Sequence, residues 1–137
     1  MEIKLLTTIK ANTMSESLFE RLGGVKGIEK IVDDVVDAHL NNPVISARFT
    51  PYLEQPKNLS RIKSHTVEFF TAGSGGPLDY TGKDMVTTHK GMNISASEYM
   101  ETMEDILLIL DKHGKNAQTK KDVLEILWSL KGMIIGQ

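Results

Sequence analysis

The sequence contains no cysteine, only 6% aromatic residues and no long hydrophobic run. The lack of cysteine excludes disulfides, thiolate nucleophiles, and iron–sulfur or zinc sites that depend on cysteine ligands. Any bound metal must therefore rely on histidine, methionine or oxygen ligands. No stretch is apolar enough for the core of a signal peptide or for a membrane-spanning helix. We therefore expect a cytoplasmic protein without a membrane partner.

An excess of charge of one sign is also missing. Sixteen lysine and arginine residues stand against 18 aspartate and glutamate residues, which gives a formal net charge of -2. Proteins that bind nucleic acid or anionic membrane surfaces carry a marked positive field. The balanced composition predicts no nucleic-acid partner and fits a small neutral ligand better.

The 137 residues, 40% of them hydrophobic, are enough to build one hydrophobic core. We expect a flexible N-terminal extension over residues 1–16 and one domain over residues 17–137. Apolar residues recur at helical spacing through this domain, and no stretch alternates as a β-strand would. The sequence therefore predicts an all-α fold.

Two capping boxes mark helix starts in the sequence. Ser17 with Glu20 and Ser95 with Glu98 place a serine hydroxyl and a glutamate three residues apart, so that each satisfies a free amide at a helix N-terminus. Gly23-Gly24 follows the first of these helices and predicts its end.

Three further boundaries are less strongly marked. Asn58 or Ser60 is expected to cap the long helix that follows Pro56, and Thr119 with Asp122 is expected to open the last helix. Pro51 and Pro56 are expected to bracket a loop, because proline disrupts the interior of a helix.

A histidine in a short predicted helix is the candidate metal ligand. His89 lies four residues after Met85 on the same helical face, so both side chains can point into one pocket. A neutral imidazole is the commonest side-chain metal ligand. His39 and His113 fall near helix C-termini, where a cation is favoured, and we assign them no ligand role. An isolated histidine is more often exposed, or buried with its hydrogen bonds satisfied, than bound to a metal. The segments around His89 therefore determine whether it is a candidate ligand.

Tyr80-Thr81-Gly82 precedes His89, and upstream Phe69-Phe70 is followed by Gly75-Gly76-Pro77. In this order the segments resemble group I truncated haemoglobins. Gly23-Gly24 matches the family's first glycine motif, and the resemblance covers nearly the whole chain. It implies a single-domain, two-over-two helical sandwich around haem b, with His89 as the proximal iron ligand.

The resemblance also implies which residues surround the haem. His65 matches a position that ligates iron in some family members and pairs with a haem propionate in others, and both roles stay open. Phe49 matches the phenylalanine that packs on the haem. Tyr80, Thr81 and Lys83 match a segment that anchors a propionate. The complete set expected to bind the cofactor is Val36, Phe49, Ile62, His65, Thr66, Phe69, Phe70, Tyr80, Thr81, Lys83, Met85, His89, Ile94, Tyr99, Met103, Ile106 and Leu127.

One position departs from the family pattern. Many relatives place a tyrosine where this chain has Val36, and that tyrosine donates a hydrogen bond to the bound diatomic molecule. Only Thr66 and His65 remain as donors here. Tight dioxygen retention by a tyrosine-centred network is therefore disfavoured, as is dioxygenation of nitric oxide by that route.

The resemblance leaves several functions open. The first is reversible binding of dioxygen, nitric oxide and carbon monoxide at a haem iron held by His89. The second is an enzyme that turns over nitric oxide, peroxide or other reactive species with a separate reductase. The third is a sensor or electron carrier with His65 and His89 both on the iron. The fourth is a globin-like scaffold without haem.

Overall fold

The computed structural model describes residues 16–137. The expected N-terminal extension falls almost entirely outside this range, so it stays a prediction. Within the range, the chain forms α1 (Leu18–Arg21), α2 (Gly24–Asn41), α3 (Ser46–Leu53), α4 (Pro56–Gly73), α5 (Met85–His89), α6 (Ala96–Lys112) and α7 (Ala117–Leu130), then a 3-10 turn at Lys131–Met133. The all-α prediction is confirmed.

The four longer helices build the core. Helix α2 packs against α4 and α6, and α6 packs against α7. Their apolar faces meet at fully buried side chains such as Ile28, Val32, Leu110 and Val123. Burial of such faces is the main source of helix stability in a domain of this size. No helix in the described part of the chain is both long and apolar enough to cross a membrane.

The turn between α1 and α2 depends on two glycines. Gly23 has a φ of 95° and Gly24 a φ of 71°, a left-handed conformation that residues with a side chain rarely adopt. Ser17 caps α1 by accepting a hydrogen bond from the Glu20 amide at 3.2 Å. The predicted end of the first helix is therefore confirmed, and the chain turns at once into α2.

The predicted capping box at the start of α6 is present in full. The Ser95 hydroxyl accepts from the Glu98 amide at 3.1 Å, and the Glu98 carboxylate accepts from the Ser95 amide at 3.1 Å. Asp84 caps the short helix α5 by accepting from the Thr87 amide at 2.8 Å. The starting points of α5 and α6, the helices on either side of the loop after His89, are therefore fixed by side-chain caps.

Two predicted helix starts are wrong. Helix α4 begins at Pro56 and not at Asn58 or Ser60, because proline suits the first helical position, where its missing amide has no partner to lose. Helix α7 begins at Ala117, because the Asn116 side chain accepts from the Thr119 amide at 2.9 Å. Thr119 is therefore inside the helix.

The prediction that a loop begins at Pro51 is also wrong. Pro51 lies inside α3, which runs from Ser46 to Leu53. Proline removes one intrahelical hydrogen bond, to the carbonyl of Ala47. Ala47 is exposed, so water can satisfy that carbonyl. The helix ends two residues later, which limits the disruption.

Candidate functional site

A cavity of about 590 Å³ lies between α2, α4, α5 and α6. Its volume falls in the range of about 300–1,000 Å³ that small-molecule and cofactor sites occupy. Most of the residues expected at the site line this cavity. They are Val36, Phe49, Ile62, His65, Thr66, Phe69, Phe70, Tyr80, Lys83, Met85, His89, Ile94, Tyr99, Ile106 and Leu127.

Two of the expected residues lie elsewhere. Thr81 is exposed, and its hydroxyl donates to the Glu68 carboxylate at 2.6 Å, which turns it away from the cavity. Met103 is 3% exposed and belongs to the hydrophobic core. Its position on α6 faces the packed interior of the helix bundle and not the cavity lining.

His89 lies at the C-terminal end of α5 and is half-buried. Its Nδ1 is 2.7 Å from the carbonyl oxygen of Met85. A carbonyl can only accept, so Nδ1 carries the proton and donates it. In the neutral ring this leaves the lone pair on Nε2, the nitrogen that remains available to a metal. Metal-binding histidines usually donate their other ring nitrogen in this way, which fixes the tautomer and the orientation of the ring.

His65 lines the cavity from α4 and is also half-buried. Its ring lies edge-on to Tyr80, with centroids 6.2 Å apart. The Tyr80 hydroxyl donates to the Lys83 carbonyl at 2.6 Å, and its ring packs edge-on against Phe69 at 5.4 Å. Tyr80 is therefore fixed at both ends, and it limits the space into which the His65 ring can turn.

The hydroxyl of Thr66 forms a hydrogen bond within its own helix. It donates to the carbonyl oxygen of Ile62 at 2.7 Å, one turn earlier on α4. In this rotamer the hydroxyl does not donate into the cavity, although Thr66 lines it. Val36 is apolar and 7% exposed. Of the two donors expected from the sequence, only His65 remains.

Cations stand where the cavity meets the surface. Lys83 was expected there, and Arg61 lines the same cavity from α4. Both are exposed. A lysine ammonium and an arginine guanidinium both suit carboxylates such as haem propionates. No distinct signal in the sequence pointed to Arg61, because an exposed arginine on a helix is common.

A buried histidine without an assigned role also lines the cavity. His39, on α2, is 5% exposed, and its Nδ1 lies 2.8 Å from Oδ2 of Asp105, on α6. Burial lowers the pKa of His39, although the hydrogen bond and charge of Asp105 act in the opposite direction. The one feature of the sequence that points to this pair is that an aspartate and a histidine each interrupt the apolar face of a helix.

An ion pair fixes α3 beside the cavity. Arg48 donates to the Glu98 carboxylate from Nε at 2.7 Å and from Nη2 at 2.9 Å, and to the Met92 carbonyl from Nη1 at 2.7 Å. These bonds hold α3 to α6 and to the loop that follows His89. The Arg48 hydrogen bonds, with the Ser95 amide, lower the pKa of Glu98 from 4.5 to about 2.

This ion pair predicts a component of acid unfolding. Because the pKa of Glu98 is lower in the folded chain, its stabilising effect is complete above pH 4.5 and is lost as the pH falls toward about 2. Glu98→Gln keeps the cap but removes the charge. We expect urea midpoints of the variant to fall less steeply than those of the wild type over that pH range. Equal slopes would contradict this prediction. Both side chains are partly exposed, so the effect is modest.

Comparison with known proteins identifies the family. The family model described as Bacterial-like globin matches residues 17–135. The chain is 30% identical over 108 residues to the Group 1 truncated hemoglobin GlbN of Mycolicibacterium paratuberculosis, covering 79% of this chain and 76% of that protein. It is 22% identical over 121 residues to GlbN of a Nostoc species, covering 88% and 98% of the two chains.

A solved structure shows the same fold. The truncated hemoglobin of Tetrahymena pyriformis, in its Fe(III) form, superposes with a TM-score of 0.80 at 20% identity, covering 89% of this chain and 100% of that one. The two-over-two arrangement expected from the sequence is therefore confirmed. Taken with the family model and the mycobacterial relative, the fold shows that this chain belongs to the bacterial-like globins, and among them to the group 1 truncated haemoglobins.

Proposed function

We propose that the chain binds haem b in the cavity through His89 and reversibly binds dioxygen, nitric oxide and carbon monoxide there. The observation that carries this proposal is the hydrogen bond from His89 Nδ1 to the Met85 carbonyl at 2.7 Å, in the wall of the cavity. It orients the ring and leaves Nε2 as the nitrogen that can ligate iron. A separate reductase is the partner we propose for keeping that iron ferrous.

The residues around the cavity fit such a cofactor. Apolar side chains such as Phe70, Met85 and Ile106 offer a dry surface to a flat porphyrin. Lys83 and Arg61 at the edge offer cations to its carboxylates. The imidazole of His89 supplies a soft-to-borderline nitrogen ligand, which suits iron. The donor set thus matches each chemical part of a haem.

The bound haem supplies an iron that accepts a diatomic ligand. Around it, Val36 excludes water but donates no hydrogen bond, and the Thr66 proton is held by the Ile62 carbonyl. A pocket with so few donors stabilises a polar ligand less than one with a tyrosine. We therefore propose faster loss of dioxygen than of carbon monoxide, which depends less on such donors.

A reversibility experiment tests the binding function. The reduced, haem-loaded protein is exposed to carbon monoxide and to dioxygen, and each gas is then removed under argon while absorption spectra are recorded. We expect a distinct bound spectrum for each gas and return to the starting ferrous spectrum. If no bound spectrum forms with either gas, binding is not the function.

A second candidate is a six-coordinate haem that works in electron transfer or sensing. The observation that favours it is His65, whose ring lines the cavity beside the fixed ring of Tyr80. If His65 ligates the iron, an external ligand binds only after His65 leaves. If it instead contacts a propionate, the sixth position is free from the start.

The His65→Leu variant separates these two roles. With bis-histidine ligation, the wild-type ferrous spectrum is low-spin, and His65→Leu turns it high-spin and makes carbon monoxide binding faster. Lys63→Leu is the matched control, because Lys63 lies on the same helix but pairs with Asp33 at 3.1 Å. A ferrous spectrum that is the same in wild type and His65→Leu would contradict iron ligation by His65.

A further inference from the structure

A buried polar pair lies at one wall of the cavity, which His39 lines. His39 is 5% exposed and Asp105 is 9% exposed, on two helices that pack against each other. Such a pair gives little net stability compared with apolar side chains of the same size, because both groups lose their hydration. The pair instead fixes the orientation of the His39 ring, because a hydrogen bond constrains the plane of a ring and apolar contact does not.

The orientation of His39 is set from one side. Oδ2 of Asp105 accepts a hydrogen bond from His39 Nδ1 at 2.8 Å. Asn42 in turn holds Asp105, because its amide donates to both carboxylate oxygens at 3.2 Å and to Glu101 at 3.1 Å. The carboxylate therefore has little freedom to rotate, and the imidazole plane follows it.

The face of the His39 ring carries a second contact. Phe49 stacks on it, with centroids 5.2 Å apart and an angle of 22° between the planes. Phe49 lies on the short helix α3 and also lines the cavity. Its neighbour Arg48 fixes the backbone of α3 through Glu98, but a backbone anchor leaves the phenyl ring free to turn. The stack on His39 holds the ring itself.

We propose that His39 is a positioning residue, which Asp105 orients and which holds Phe49 flat in the cavity wall against the haem. This inference rests on the proposed function, since it assigns Phe49 to the haem surface. It differs from the expectation for His39, which gave it only a place near a helix end. His39 touches neither iron nor diatomic ligand in this account and acts through Phe49.

The rate at which haem leaves the loaded protein tests the proposal. Haem transfer to an excess of apomyoglobin is followed by absorbance for wild type, His39→Gln, Phe49→Leu and the double variant. His39→Gln removes the stacked ring and leaves a side-chain amide that can donate to Asp105. We expect His39→Gln to speed haem loss by about threefold to tenfold, the range expected for an aromatic pair.

The double variant decides whether His39 acts through Phe49. With Phe49→Leu already present, adding His39→Gln should change the rate by less than about twofold, because the stack is already lost. His113→Gln is the matched control, since His113 pairs with Asp34 at 2.6 Å on the surface.

Each outcome supports or overturns a distinct claim. If His39→Gln speeds haem loss equally with and without Phe49, or leaves the wild-type rate unchanged, the positioning role is overturned while haem binding stands. If the wild-type chain takes up no haem, the proposed function and this inference both fall. Thermal unfolding of the apoproteins is measured in parallel, and a variant that loses haem faster with unchanged apoprotein stability supports positioning over general loosening.

Discussion

Replacing His89 with alanine is expected to abolish native haem ligation. The variant loses the imidazole of α5, whose Nδ1 donates a hydrogen bond to the Met85 carbonyl at 2.7 Å. It therefore also loses the Nε2 lone pair that would ligate the iron. Loss of an outer partner of a metal ligand commonly weakens metal binding by roughly 10–100-fold. Loss of the ligand itself should exceed that range. The measurement is haem affinity by absorbance titration, with the spectrum of the ferrous form.

Added imidazole and a second histidine variant make this result specific. His89→Ala leaves a space at the wall of the cavity, so free imidazole should partly restore the wild-type spectrum. His113→Ala removes a histidine outside the cavity and should leave both affinity and spectrum unchanged. An unaltered iron spectrum in His89→Ala without imidazole would refute the proximal role.

The largest expected effect on stability is that of Gly27→Ala. A Cβ built on Gly27 would stand 2.3 Å from the carbonyl oxygen of Leu22, a distance that real Cβ atoms essentially never show. The clashing atom belongs to the backbone of Leu22, and the Leu22 side chain is 3% exposed in the core. Leu22 therefore cannot move away to make room for the Cβ. We expect a loss of about 3 kcal/mol or more in the free energy of unfolding, at the upper end of overpacking effects. Urea unfolding measures it.

Gly73→Ala is the control for Gly27→Ala. Gly73 is the last residue of α4, and apart from its chain neighbours and its own helix backbone no atom lies within 4 Å of a Cβ built there. Alanine at this helical position should be neutral or stabilise the fold by up to about 1 kcal/mol. If Gly27→Ala lies as close to wild type as Gly73→Ala, the close approach of α1 and α2 is not as the structure describes.

Local signals in the sequence predicted the features that depend on a few neighbouring residues. The capping box of Ser95 and Glu98 is present atom for atom, because a cap is completed within one helical turn. The left-handed turn at Gly23-Gly24 is of the same kind. The bond from His89 to the residue one turn earlier also needs only a helix and a suitable rotamer.

Features that depend on tertiary packing were not predictable in this way. Thr66 was a reasonable donor until its rotamer directed the hydroxyl to the Ile62 carbonyl. The pairing of His39 with Asp105 joins residues far apart in sequence, and periodicity alone shows only that each interrupts an apolar face. Gly27 gave no signal either, because a glycine in a helical stretch shows its close contact only once α1 is in place.

Haem titration of the purified apoprotein tests the central claim most directly. Absorbance is followed as haemin is added to the wild type and to His89→Ala, and the ferrous forms are examined by resonance Raman for an iron–histidine vibration. We expect a sharp end point at one haem per chain in the wild type, with a vibration that shifts when the histidine nitrogens are labelled with nitrogen-15. Equal haem uptake and the same iron–histidine vibration in His89→Ala would contradict the account.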